Sequence, residues 1–251
     1  MWLTIVLVAV VVAFLLLVVV ASRNVTIPRQ IGPDEGIDDA DIIQAYDRIS
    51  KWPQFKVIRR IIVNELKRHH PRNTLVDVGC GPGYLLGDMA RAFSDLEFIG
   101  VDISQQMLER ATNNITGSRL GERISFRVGD IQGLPFEPNS LDFVISTLSL
   151  HHWLQPKRGF LEISRVLKPG GQFLIFDLKR NSPRLVYWLM RFAQSLILPN
   201  ALGRINEPTS SFLASYTTSE IEAIIADTGF KTWRVHTGLF WAFTWGQKIG
   251  V

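Results

Sequence analysis

The stretch Leu75-Val76-Asp77-Val78-Gly79-Cys80-Gly81-Pro82-Gly83-Tyr84-Leu85 constrains this chain more than any other. A short apolar strand ends in an acid, and a glycine turn then opens a helix. Glycines at alternate positions 79, 81 and 83 let the backbone approach a ligand where a Cβ would collide. The N–H groups of the first helical turn face the same point. This is the build of a nucleotide-type cofactor site. A tight strand–helix turn can use glycine for steric reasons alone, so the flanking sequence has to decide.

From Thr74 onward the pattern alternates between strand and helix. Strands are predicted near 74–78, 97–101, 124–128, 141–146 and 172–177, with helices near 83–93, 104–115 and 157–167 between them. Two final strand candidates, 231–237 and 239–246, suggest an antiparallel end to the sheet. The expected fold is α/β: a doubly wound, mostly parallel, seven-stranded Rossmann-like sheet with helices on both faces. Upstream, Asp38–Ile49 and Pro53–His69 have helix-like spacing, with Phe55, Ile58, Ile61, Ile62 and Leu66 on the longer one. Lys168-Pro169-Gly170-Gly171 is a turn feeding the fifth strand. Residues 183–198 read as an apolar helix, and Thr218-Ser219-Glu220 starts another with a Ser/Thr cap.

Two further acids stand at strand ends. Phe98-Ile99-Gly100-Val101-Asp102 places a carboxylate roughly 20 residues after the glycine turn, where doubly wound sheets hold ribose hydroxyls. An acid there can also cap the next helix, but Ser104 is available for that. Val128-Gly129-Asp130-Ile131 follows the third strand. Its carboxylate can accept from an adenine amino group while Ile131 packs on the ring; the alternative is a surface turn acid.

The N-terminus is a separate unit. Residues 2–21 are almost entirely apolar and carry no charged side chain. About 20 residues at 1.5 Å each span a bilayer core of roughly 30 Å. The expectation is a transmembrane helix over 1–22, a juxtamembrane linker over 23–36 and a catalytic domain over 37–251. A cleaved signal peptide is the other reading of the same run. Arg23 and Arg29 follow the span and no basic side chain precedes it, which puts the domain on the cytoplasmic side of a single-pass protein.

The net charge of the 251 residues is +4. No nucleic-acid-binding motif accompanies it, and Lys56, Arg59, Arg60, Lys67, Arg68 and Arg72 suit an anionic membrane surface or a solvated helix face. Cys80 is the one cysteine, so an intrachain disulfide or cysteine-rich metal site is excluded and no metal is expected.

Taken in order, Gly79-x-Gly81-x-Gly83, Val101-Asp102, Gly129-Asp130, Leu134-Pro135-Phe136, Leu141-Asp142-Phe143-Val144 and Arg165-Val166-Leu167-Lys168-Pro169-Gly170-Gly171 form a series. This series resembles class I S-adenosylmethionine-dependent methyltransferases of the small-molecule type that includes quinone-biosynthesis enzymes. It covers about residues 74–178. A nicotinamide site would want G-x-G-x-x-G, whereas position 84 is Tyr and position 86 is Leu.

The resemblance implies S-adenosylmethionine as cofactor and assigns residues to it. Asp77 would contact its methionine end, often through water, and Gly79, Gly81 and Gly83 would wrap that portion. Asp102 would bind the ribose hydroxyls and Ile103 would cover the adenine. Asp130 would bind the adenine amino group with Ile131 beside it, and Ser146 and Thr147 would lie near the methionyl amine. Asp142 reads as structural.

An oxygen or acidic carbon nucleophile also needs a base. The candidates are His151 and His152, in the loop Ser149-Leu150-His151-His152-Trp153, and then Tyr216. Each has a packing role as its alternative. The helix at 183–198 could lie over the substrate and, with the anchor, favours a lipophilic small-molecule acceptor. A non-catalytic cofactor-binding scaffold and a nucleic-acid methyltransferase are the other readings. The second lacks an Asn-Pro-Pro-Tyr-like signature, since the chain reads Ser146-Thr147-Leu148-Ser149 there. Oligomeric state is not legible in the sequence.

Overall fold

The computed structural model describes residues 23–25, 27–30, 38–116 and 119–250. The apolar run at 2–21 therefore lies outside the described residues, and with it the expected membrane helix. Among the described residues, no helix is long and apolar enough to cross a membrane.

Seven of the described strands form one sheet. They are β2 (Thr74–Val78), β3 (Glu97–Asp102), β4 (Ile124–Val128), β5 (Leu141–Thr147), β6 (Leu167–Leu178), β8 (Thr232–Thr237) and β9 (Trp241–Gln247). Their order is β4-β3-β2-β5-β6-β9-β8; every neighbouring pair up to β6 is parallel, and β9 runs antiparallel to both β6 and β8. The doubly wound sheet and its antiparallel end match the expectation. The remaining short ladder pairs β1 (Asn24–Val25) with β7 (Ser182–Pro183).

The strands are apolar on both faces, and strand alternation sends successive residues to two separate cores. Leu75, Phe98, Phe143, Leu174 and Phe176 meet α2 (Pro53–Lys67), α3 (Tyr84–Ala92) and α4 (Gln105–Ile115) through Ile62, Leu66, Leu86, Met89 and Leu108. Val76, Val101, Val144, Phe173 and Ile175 meet α5 (Pro156–Val166) and α9 (Thr218–Ala226) through Phe160, Ile163, Ile221 and Ile225. Asp77 shares the parity of Leu75, so it stands where an apolar core residue would otherwise sit. The helix expected at 53–69 is thus a packed layer on the sheet.

The turn at 168–171 is a bulge within β6. The register against β5 shifts between Leu141 and Phe143, and Gly170 takes a left-handed φ of 81°.

Two parts of the structure add to the expectation. The stretch expected as a linker over 23–36 is hydrogen-bonded to the domain at several of its described residues. Gln30 N–H donates to the Leu213 carbonyl at 3.0 Å, Arg29 Nε donates to the Ala214 carbonyl at 2.7 Å and Arg180 Nε donates to the Ile27 carbonyl at 2.5 Å. The Ile27 carbonyl is thus paired by an arginine distant in sequence, and Arg29 and Gln30 bond to the backbone of residues 213–214. After β7, α6 (Arg184–Leu196) is followed by two short helices not foreseen, α7 (Asn200–Arg204) and α8 (Thr209–Ala214). The first helix, α1 (Ala40–Ser50), is capped by Asp39, whose carboxylate accepts from Asp41 N–H at 2.9 Å and Ile42 N–H at 3.2 Å.

Candidate active site

The site lies at the carboxyl ends of β2, β3, β5 and β6, where ligands bind in sheets of this topology. The turn after β2 closes against β3. Gly79 and Cys80 N–H groups donate to the Val101 carbonyl at 2.8 and 3.0 Å, and Gly81 N–H donates to Asp102 Oδ2 at 3.0 Å. Gly79 has φ of 75°, and a Cβ there would sit 2.6 Å from Ser149 Oγ, so no other residue fits without displacing the histidine loop. At Gly81 a Cβ would meet nothing within 4 Å. The turn presents bare backbone to open space at that point, as a cradle for a ligand requires.

Asp77 is 1 % exposed, and neither carboxylate oxygen has a hydrogen-bond partner among the described residues. Burial, reinforced by the negative charge of Asp102, pushes its pKa up to about 8. A buried carboxylate with both oxygens unmatched is costly unless a cation or strong donor completes it. The methionyl ammonium of S-adenosylmethionine, directly or through water, is such a partner, so the residues present fit the cofactor.

Asp102 lies at the end of β3. Its Oδ1 accepts from Ser104 N–H at 3.1 Å, while Ser104 Oγ accepts from Met107 N–H and so caps α4. The serine takes the capping role and leaves the acid to face the glycine turn. Burial raises the Asp102 pKa and the backbone donors partly offset that rise. Ile103 is 42 % exposed, a large apolar side chain open to solvent on the rim, and Val128 is exposed as well. Asp130 accepts from Gln132 N–H at 2.8 Å. Ile131, expected beside the adenine, is buried with Leu134, Trp153 and Phe160, so the open apolar surface at this rim is Ile103 rather than Ile131.

Ser146 is fully buried, and its hydroxyl donates to the Val78 carbonyl at 2.7 Å, tying β5 to β2. Thr147 ends β5. The next residue, Leu148, adopts a left-handed φ of 52°, which turns the chain out to carry the histidines. Asp142, at the opposite end of β5, is held by Asn73 Nδ2 at 3.0 Å and Lys168 Nζ at 2.8 Å, a structural position.

The structure separates the two histidines. His151 is buried, and its Nδ1 lies 2.7 Å from Asp177 Oδ1, while its backbone N–H donates to Asp177 Oδ2 at 2.9 Å. Burial alone depresses the imidazole pKa, but the Asp177 carboxylate outweighs it and holds the group above its ordinary value. His152 packs beside it, with ring centroids 4.1 Å apart and the ring planes tilted by 45°. Burial and the charge of His151 pull His152 down to about 3, so it is neutral at physiological pH. Tyr216 is buried with the Arg29 guanidinium 4.1 Å from its ring centroid, and burial raises its hydroxyl pKa.

Asp177 was not singled out in the sequence, although it ends its strand as Asp77 and Asp102 do. Asp47 on α1 was also missed. It is buried and accepts from Tyr84 Oη at 2.9 Å, Asn114 Nδ2 at 2.9 Å, Lys51 Nζ at 2.9 Å and the Arg110 guanidinium. Asn114 Nδ2 also donates to the Pro82 carbonyl at 2.9 Å, so α1 is fastened over the glycine turn. These bonds hold Asp47 well below the usual carboxylate range, although burial opposes them.

Residues 76–175 match a family described as "Methyltransferase domain". The chain is similar to the ubiquinone/menaquinone biosynthesis C-methyltransferase UbiE of Geobacter sulfurreducens, with 27% identity over 84% of this chain and 86% of the relative. The demethylmenaquinone methyltransferase of Symbiobacterium thermophilum is 35% identical over 47% of this chain, which spans about half of that relative, 50%. Among solved structures, Haemonchus contortus phosphoethanolamine N-methyltransferase 2 in complex with S-adenosyl-L-methionine shares the fold. The TM-score is 0.60 at 22% identity, over 83% of this chain and 57% of that one.

This chain is an S-adenosylmethionine-dependent methyltransferase.

In the methyltransferase, Asp77, the glycine turn and Asp102, all singled out in the sequence, come together at the carboxyl ends of β2 and β3. His151 pairs with Asp177, and Arg29 lies over the Tyr216 ring.

Proposed function

We propose that this methyltransferase modifies a lipophilic acceptor at a membrane, with its domain on the cytoplasmic side. The observation that carries the reading is an apolar wall beside the His151–Asp177 pair. α8 touches the 150–152 turn and α6 packs on α8, with Val186, Phe212 and Leu213 buried between them and Tyr187, Met190 and Phe240 alongside. The apolar run at 2–21 and the relatives named for quinone biosynthesis agree with it.

The cofactor supplies a methyl group already activated on a sulfonium. The chain's own residues hold and orient the reactants. Asp77 seats the cationic methionyl end, Asp102 takes the ribose, Asp130 takes the adenine amino group and Ile103 covers the ring. His151 donates Nδ1–H to Asp177, which leaves Nε2 as the accepting atom of a general base for an acidic O–H or C–H of the acceptor. Asp177 is a positioning residue: it fixes the tautomer and stabilises the imidazolium. His152, neutral and packed against His151, keeps a second positive charge out of the site. The apolar wall excludes water, which strengthens each of these interactions.

Incubation with radiolabelled S-adenosylmethionine and a membrane extract, followed by phase partition and mass spectrometry, tests the reading. The label is expected in the organic phase, on a species heavier by one CH2 unit. Transfer confined to the aqueous phase would overturn the lipophilic acceptor.

A further inference from the structure

α6 has two apolar faces. The inner one, through Val186, packs on Phe212 and Leu213. No element among the described residues covers the outer one: Leu185, Trp188, Leu189, Phe192 and Leu196 are exposed by 48, 56, 57, 55 and 70 %. At 100° per residue these five fall within one arc of roughly 100°, along a helix about 20 Å long. Arg184 and Arg191 are one heptad apart, and both are exposed on the flank of that arc. Large apolar side chains in one contiguous stripe mark an interaction surface rather than a solvated one.

The chain indicates what lies against it. The uncharged apolar run ends at Ala21, and Arg23 follows two residues later. The Arg23 carbonyl accepts the N–H of Arg184, the first residue of α6, at 3.2 Å, and Asn24–Val25 pair with Ser182–Pro183 just before it. A membrane-crossing segment would therefore leave the bilayer at the N-terminus of α6. The pattern on α6, apolar over one arc with arginines at its edge, is that of a helix lying in the headgroup–acyl boundary.

We propose that α6 is an interfacial membrane helix: its outer face is immersed in lipid, and Arg184 and Arg191 reach anionic headgroups. This rests on the membrane reading proposed above. It also gives the acceptor a route. The inner face of α6 and α8 are the layers between lipid and the His151 turn, so a lipophilic acceptor enters from the bilayer side without crossing water.

The test uses the full chain in vesicles of three parts phosphatidylcholine to one part phosphatidylglycerol. Leu189→Cys, Phe192→Cys and, as a control, Glu109→Cys on the exposed surface of α4 are labelled with an environment-sensitive fluorophore. Cys80 is buried, and the unsubstituted chain labelled in parallel gives the background. Labels at 189 and 192 are expected to be quenched by nitroxide lipids several-fold more than the label at 109, and several-fold less by iodide. If the protein floats with the vesicles but iodide quenches all three sites equally, the interfacial helix is wrong and the anchor stands. If 189 and 192 resist both quenchers, another part of the chain covers the face and the proposal fails. If the protein does not float, the membrane reading itself fails and this inference with it.

Discussion

With its carboxylate completed by no donor among the described residues, Asp77 weakens the cofactor-free fold over a defined pH range. Its pKa rises from the ordinary 3.8 to about 8 on folding, so the folded chain keeps a proton that the unfolded chain releases. The cost is absent below about pH 4 and complete above pH 8. Asp77→Asn removes it: the cofactor-free variant is expected to melt roughly 2–4 °C or more above the parent at pH 8.5, the equivalent of about 1 kcal/mol. The gain should shrink as pH falls and vanish below about pH 4, and differential scanning calorimetry at pH 8.5 and near pH 3.5 checks both halves. Asp177 acts through His151. Asp177→Asn should lower turnover about a hundred-fold or more and displace the acidic limb of the pH–rate profile to lower pH, while the cofactor affinity from calorimetry stays within two-fold. Asp77, Asp102 and Asp130 were legible in the sequence because each stands at or just after a strand end, beside a local glycine signal. Asp47 and Asp177 were not, because their partners lie elsewhere in the chain: Asn114 is 67 positions from Asp47, and His151 is 26 from Asp177.

Helix α9 shows how local sequence closes an element. Thr217 Oγ1 accepts from Glu220 N–H at 3.3 Å, and Glu220 Oε2 accepts from Thr217 N–H at 2.7 Å, a reciprocal capping box. Glu220 also receives the Arg180 guanidinium at 2.8 and 3.0 Å, so the cap fastens α9 to the strap at residues 27–30 that Arg180 holds. Thr217→Ala is expected to cost about 1 kcal/mol, measured by urea unfolding. A Glu222→Ala control, at an exposed position past the box, should cost markedly less. The cap and the long elements were readable because apolar periodicity needs about two turns to show. α7 and α8, of 5 and 6 residues, are too short to display it. The strap was read as a linker because composition marks turns and does not show which distant arginine will pair a backbone carbonyl.

Across the whole molecule, the titrating groups set one stability profile. His152 is lowered to about 3 on folding, so it favours the fold above its ordinary 6.5 and that contribution is lost as pH falls from 6.5 toward 3. Asp77 acts in the opposite sense between about 4 and 8, and the two offset each other between about 4 and 6.5. His151, raised by Asp177, contributes stability below 6.5 that is lost as pH rises through its higher folded value. Asp47, lowered by its donors, contributes stability that is lost only in acid below 4. The cofactor-free protein should therefore melt highest between about pH 4 and 6.5 and decline toward pH 8; a melting maximum at pH 8 or above would contradict this assignment of charges. The central claim is that Asp77 seats the cofactor's cationic end. Isothermal titration of S-adenosylmethionine into the parent protein and into Asp77→Asn measures that directly. The affinity is expected to fall at least ten-fold in the variant, about 1.4 kcal/mol, even though its cofactor-free fold is no less stable at the same pH. Equal affinity in a folded variant would contradict the account.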